Sequence, residues 1–278
     1  MPIDAKRSRL TFRKLGQELT KVARKFAPEN VHKFRTYSRR VEALLDEVAL
    51  DHHRNDEKLL KLLARLRKKA GRVRDLDVQI ASLRSLKIPG GNGHKAQFME
   101  ALVEERRARE GKLAKAFDRN TANELRKRLK RAASEIQIPD DVEPLTLTLK
   151  KLTELGNDRS PLTEKTLHQY RIIGKRARYI AELSRDDPQA ARVVKQLKHM
   201  QDVIGDWHDW LKLTQKAEQL LGGVRDSALV ALLRNVTQAK FRQSVDAVAE
   251  TRSALAGDSH GARRPQDSSP QRRTSAAA

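Results

Sequence analysis

Leu10, Leu15, Leu19, Val22 and Phe26 recur with the rhythm of one face of an α-helix. So do Leu59, Leu62, Leu63 and Leu66, and again Leu229, Leu232, Leu233 and Val236. Long β-branched runs that alternate apolar and polar residues are absent, so the pattern predicts an all-α protein. The prolines at 28, 89, 139, 144, 161 and 188 fall between these stretches, where a fixed φ and a missing N–H do least harm. PGGNG at 89–93 breaks a helical region and is expected to be a loop; no GK[ST] follows, so its glycines do not form a phosphate-cradling loop. From Gly257 to Ala278 the chain turns to Gly, Ser, Pro, Gln and Arg with almost nothing to bury, which predicts a disordered tail behind a folded region of 1–256.

The stretch VHKFRTYSRR at 31–40 sorts its residues by face. At about 100° per residue, with His32 at zero, Arg35 falls near about 300° and Arg39 near about 340°. Phe34, Tyr37, Val41, Leu44 and Leu45 fall between about 120° and 220°, so this helix can bury one side and leave a cationic stripe on the other. Like charges one turn apart cost only about 0.2–0.5 kcal/mol per pair, so a single basic helix is compatible with a plain solvated face.

The stripe, however, occurs twice. VHKFRTYSRRVEALLD lies over LHQYRIIGKRARYIAE: His32 meets His168, Arg35 meets Arg171, Arg39 meets Lys175 and Arg40 meets Arg176. Arg178 extends the second stripe. Further on, LLARLRKKAGRVRDLDV lies over LKHMQDVIGDWHDWLK, with Gly71 on Gly205 and Asp75 on Asp209. Two motifs in the same order indicate a duplicated helical unit, with halves of about 1–140 and 141–256. A surface free to choose its polar residues has no reason to repeat this His and cation pattern, so the repeat points to an anion site.

Charge identifies the class of partner. The chain has 58 Lys+Arg against 36 Asp+Glu, a formal net charge of +22, which calls for a polyanion: nucleic acid, acidic membrane or polyphosphate. Aromatic residues are 4%, too few and too scattered for base-stacking recognition of single strands. With no cysteine, disulfides, thiolate chemistry and zinc ribbons drop out, and a reducing compartment is compatible. MPIDAKRSRLTF lacks the apolar core of a secretory signal, and no run nears the roughly 18 apolar residues of a membrane span, so a soluble cytoplasmic protein with no membrane partner is expected.

Other constellations have plainer readings. Asp75 and Asp77 more often cap helices or orient arginines than hold metal. His52 and His53 diverge by about 100° on a helix and suit a solvated loop. Trp207 and Trp210 suit core anchors. His168, His199, His208 and Asp209 suggest an HD-type metal phosphohydrolase, but the repeat sets Arg74 opposite His208, which suits an anion better than a cation. No nucleophile with a paired base stands out, and neither a metal nor a cofactor is called for.

The paired stripes, GRVRDLDV and LKHMQDVIGDWHDW, taken in order, resemble the CHAD family, the conserved-histidine α-helical domain, over about residues 5–252. The resemblance implies two four-helix bundles related by a pseudo-two-fold axis, a basic channel between them, and binding of inorganic polyphosphate. It places His32, Arg35, Arg39, Arg40, His168, Arg171, Lys175, Arg176 and Arg178 on the ligand. Arg13, Lys14 and Lys21 of the first helix, with Arg74 and Lys198, are expected as secondary contacts. Glu42 departs from the family, which often has Arg there. The expected function is non-catalytic polyphosphate binding, with granule targeting as one role. A nucleic-acid-binding protein is the alternative binding module. The polymer offers repeating charge and no bases to read, which suits guanidinium forks, lysines and histidines that gain charge as pH falls.

Overall fold

The computed structural model describes residues 5–50, 53–88, 93–139, 142–156, 161–184, 186–221 and 227–261. Among these the fold is all-α. The helices are α1 (Ala5–Arg24), α2 (Pro28–Glu47), α3 (Arg54–Ser85), α4 (Gly93–Ala116), α5 (Arg119–Glu135), α6 (Pro144–Gly156), α7 (Glu164–Ala181), α8 (Pro188–Leu221) and α9 (Ala228–Gly261), with a 3₁₀ turn at Glu182–Ser184 after α7. None of the described helices is long and apolar enough to cross a membrane.

Several boundaries follow from local chemistry. Pro28, Pro144 and Pro188 open α2, α6 and α8, where their missing N–H is not needed. Thr163 and Thr166 form a reciprocal capping box at α7, and Asp187 Oδ1 accepts from Gln189 N at 2.7 Å to start α8. The chain breaks at Phe117 and Asp118, where the Asp118 carboxylate accepts from Thr121 N at 2.6 Å and starts α5. The first half therefore has five described helices. Helix α9 runs on to Gly261, into the polar stretch that opens at 257; residues 262–278, like residues 89–92 of the Gly-rich stretch, lie outside the described residues.

Packing follows the same order in both halves: α1 on α2, α2 on α3, α3 on α4, and likewise α6 on α7, α7 on α8, α8 on α9. The first core gathers Phe12, Leu19, Phe34, Leu44, Leu63 and Leu125, with Phe117 edge-on to Phe34 at 5.1 Å. The second gathers Leu167, Tyr170, Leu197, Ile204, Trp207 and Val248. A third core crosses between the halves. It joins Leu76, Ile80 and Leu83 of α3 and Phe98 of α4 to Trp210 and Leu213 of α8 and Leu229 and Leu233 of α9. Trp207 and Trp210 are thus core anchors, 2% and 8% exposed. The long α3 and α8, 32 and 34 residues, each serve one bundle core with their N-terminal part and the shared core with the rest.

Where the halves meet, α2 lies against α7 and α3 against α8, so each motif helix packs on its sequence counterpart. Arg7 of α1 bonds the Leu183 carbonyl at 3.0 Å and Asp186 at 2.7 Å, and Lys151 of α6 pairs with Glu47 of α2 at 2.8 Å.

Candidate anion-binding site

Val31, Phe34, Val41, Leu44 and Leu45 are buried in the first core, which turns the opposite side of α2 toward α3 and α7. Leu167, Tyr170 and Ala177 do the same for α7. Arg35 and Arg39 thereby meet Arg171 and Lys175 between the halves. Two clefts share this ground. The larger, about 530 Å³, lies along α3, α8 and α4 and is lined by Arg35, Arg72, Arg109, His208, Lys212 and Lys216 among others, with Asp75, Asp209 and Glu105 as its acids. The smaller, about 190 Å³, lies along α2 and α7 with Arg67, Lys175 and Arg176 facing Glu42, Asp46 and Glu47. Arg39 and Arg171 line both. The expected channel thus takes the form of two clefts meeting at these two guanidiniums.

The electrostatics are severe. Burial holds Lys175 down at about 6, helped by Arg171, Arg39 and Arg35 and opposed by Asp209. Arg35 and Arg171 are also pushed below the ordinary arginine value, first by burial, with Asp75 opposing it for Arg35 and Asp209 for Arg171. Burial raises Asp209 to about 6 against the pull of Arg171, and lowers His208 to about 4 with Arg171 and Lys212 adding to it. Arg171 Nε is buried with no hydrogen-bond partner among the described residues, so the internal carboxylates do not exhaust its donors.

Arg35 is seated by a glycine. Its guanidinium lies across Gly71, where an added Cβ would come within 2.1 Å of Nη1, and it reaches toward the Arg67 carbonyl at 3.5 Å. The counterpart Gly205 faces open space. Gly71→Ala is expected to leave stability level or raised by up to about 1 kcal/mol through helix propensity. The same substitution displaces Arg35 and weakens anion binding about tenfold, roughly one charged hydrogen bond. Gly205→Ala should give the stability gain alone. Denaturation midpoints and a binding titration on the two variants separate these effects.

The remaining residues named from sequence scatter. His32 keeps an exposed edge; partial burial of its ring, then Arg74 and Arg35, lowers its pKa. It therefore gains charge only at pH values below those of an ordinary histidine. His168 is exposed at 5.8 Å from His208, and Arg176 is exposed at the smaller cleft. Arg74 and Lys198 line neither cleft. Arg13 lines a separate depression on α1 with Arg7 and Arg9, Lys14 is exposed on the same helix, and Lys21 is bonded to Glu18 at 2.8 Å. The structure does not bring the α1 cations to the clefts.

Arg40 and Arg178 line neither cleft. They converge on Glu182, at 2.7 Å and 3.7 Å, and stack on Tyr37 and Tyr179 at 4.8 Å and 4.9 Å. This triad ties α2 to the end of α7. Glu182→Gln strands two half-buried cations; the expected loss is about 2–3 kcal/mol, between an exposed pair and a buried one. A drop in the chemical denaturation midpoint with unchanged slope would report it.

Sequence reasoning missed Arg67, Arg72, Arg109, Lys212 and Lys216. Arg72 and Lys212 each lie one helical turn from the recognised Asp75 and Asp209, a spacing that could have found them; Arg109, on α4, carries no such signal. Glu42, the departure noted above, is ion-paired to Arg67. Asp77 orients Arg106 at 2.7 Å. Of the HD-type constellation, His208 and Asp209 line the larger cleft with His168 close by, while His199 is exposed on α8 and lines neither cleft; no group of three metal-ligating side chains is placed for an ion among the described residues. His53 is exposed at the N-cap of α3, and His52 lies outside the described residues.

The fold has known counterparts. PptA from Streptomyces chartreusis superposes with a TM-score of 0.64 at 15% identity, over 92% of this chain and 100% of its own. The CHAD domain from the plant Ricinus communis does so with a TM-score of 0.65 at 18% identity, over 88% of each chain. No curated protein matches the sequence. The CHAD domain family model matches residues 8–216, a span from α1 into α8 that includes both cationic stripes and both clefts' shared arginines, and the chain belongs to the CHAD domain family.

Proposed function

We propose that this protein binds inorganic polyphosphate between its two halves and does not chemically alter it. One observation carries the reading: Arg35, Arg39, Arg171 and Lys175, two from each copy of the repeated motif, converge between the halves, where burial and then the neighbouring guanidiniums hold Arg35, Arg171 and Lys175 below their ordinary values. Such a cluster opposes folding unless an anion relieves it. Membership of a family whose resemblance implies polyphosphate supports the same ligand. A flexible chain of repeating charge can follow the clefts without any base-reading group, and few aromatics are present to stack bases. Non-catalysis is favoured by the position of His199, away from His168, His208 and Asp209 and outside both clefts, and by the lack of a recognisable nucleophile and base in the sequence. A protein gripping the polymer this way would collect on polyphosphate granules.

The test is a competition titration of the full chain with long linear polyphosphate, RNA and duplex DNA at two salt concentrations. Polyphosphate is expected to win at matched phosphate, with affinity falling steeply with salt because released counterions gain less entropy at higher salt. Nucleic acid winning would replace this reading, and phosphate release from the bound polymer would restore an enzyme.

A further inference from the structure

Lys175 lines the narrow cleft between α2 and α7, a space of about 190 Å³, together with Arg39, Arg67, Arg171 and Arg176. It has no ion-pair partner among the described residues. The acids of this cleft are Glu42, which holds Arg67, Glu47, which holds Lys151 at 2.8 Å, and Asp46. Burial and then Arg171, Arg39 and Arg35 keep the amine at about 6, with Asp209 of the wide cleft opposing them. From neutral pH upward its nitrogen therefore keeps the free lone pair that an exposed lysine lacks.

The walls around that nitrogen are of two kinds. Arg39, Arg171 and the exposed Arg176 present guanidiniums outside any ion pair among the described residues. Ala43, Ile172 and Tyr179 form a short apolar side. A small molecule that joins a phosphate to a short acyl group matches both: its phosphate suits the guanidiniums and its acyl chain the apolar side. In such a mixed anhydride the acyl carbon is the electrophile and phosphate is the leaving group.

We infer that Lys175 is a self-acylation site for small acyl phosphates, whose phosphate docks on Arg39, Arg171 and Arg176 while the Lys175 amine takes the acyl group. Nζ attacks the acyl carbon and an amide C–N bond forms. The bond from that carbon to the bridging oxygen breaks, and its electron pair leaves with the phosphate. The proton lost by Nζ passes to the departing phosphate, so the products are the amide and hydrogen phosphate. An amide cannot become an ammonium, so acylation also weakens polyphosphate binding. That consequence rests on the polyphosphate reading of the same cluster; the acylation itself does not.

The test incubates the full chain with acetyl phosphate across neutral to alkaline pH and follows every lysine by peptide mass spectrometry. Near neutral pH Lys175 is expected to acetylate at least about tenfold faster than the exposed lysines, and its rate should stay level as theirs climbs about tenfold per pH unit. An uncharged acetyl ester should shrink the advantage, because it gives the arginines nothing to hold. A Lys175 no faster than the exposed lysines overturns the site, and an advantage undiminished with the ester overturns the docking of phosphate. Long polyphosphate added first should protect Lys175, and the purified acetylated protein should bind polyphosphate about tenfold more weakly, as for one lost charged hydrogen bond. Fast acetylation with neither protection nor loss of affinity overturns the link to polyphosphate and leaves the acylation site standing.

Discussion

Replacing Arg39 and Arg171 together by alanine should weaken polyphosphate binding by roughly 10²–10⁴-fold, and the free protein should melt at a higher temperature than the parent. The first effect follows from the position of the two side chains, which alone line both clefts. A hydrogen bond to a charged group contributes about 1.5–3 kcal/mol, so losing two guanidiniums removes about 3–6 kcal/mol of binding. The second effect has the opposite sign because these arginines repel Arg35 and Lys175 in a partly desolvated space. Removing them relieves that repulsion, and their partial exposure keeps the gain modest. The control is Arg13→Ala with Lys14→Ala, which removes equal charge from α1 and should change affinity by less than about threefold. Titration and thermal melting of both double variants suffice. Equal losses in the two would mean a diffuse surface attraction with no defined site.

Lys175 should make binding strongly pH-dependent. Its ammonium, ordinarily near 10.5, is held at about 6 by burial and then by Arg171, Arg39 and Arg35, with Asp209 of α8 opposing. Between these values the unfolded chain binds a proton that the folded free protein does not. Free-protein stability therefore rises with pH across that window, and below about 6 the cost of the buried charge is fully present. Phosphate oxygens beside the amine favour its charged form, so binding takes up a proton. One proton shifts affinity by at most about tenfold per pH unit, so roughly a hundredfold gain is expected from pH 8 down to 6. Asp209, raised to about 6, titrates in the same range with the same sign, because its protonation removes a negative charge from the wide cleft. Lys175→Met separates the two: calorimetry in buffers of different ionisation enthalpy should show most of the uptake gone. Undiminished uptake in that variant would assign the proton elsewhere.

The helical class and the stripes were legible because burial on one face of α2 and α7 imposes a period that the sequence displays directly. Arg35, Arg39, Arg171 and Lys175 followed from that period. Arg40 did not belong with them by the same geometry: it sits about 80° from His32, off the stripe. The resemblance to the CHAD family, not the stripe, placed it on the ligand. Its carboxylate partner, Glu182, lies far along the chain in a turn that no periodicity reveals. Arg178 does lie on the stripe of α7, and its pairing with Glu182, four residues on, is local. Helix α1 carries more cations than α2, seven against four, but it packs on α2 and α5 and lines neither cleft. The break between α4 and α5 depended on a single capping aspartate. The shared core depended on how two long helices diverge, a property of the assembled halves and of no segment alone.

That shared core also decides how the protein can be cut. Ending the chain near residue 140 would leave Leu76, Ile80, Leu83 and Phe98 facing water, stripped of Trp210, Leu213, Leu229 and Leu233. A half-length fragment would be sticky along that patch and would find cover most readily by pairing with its own kind.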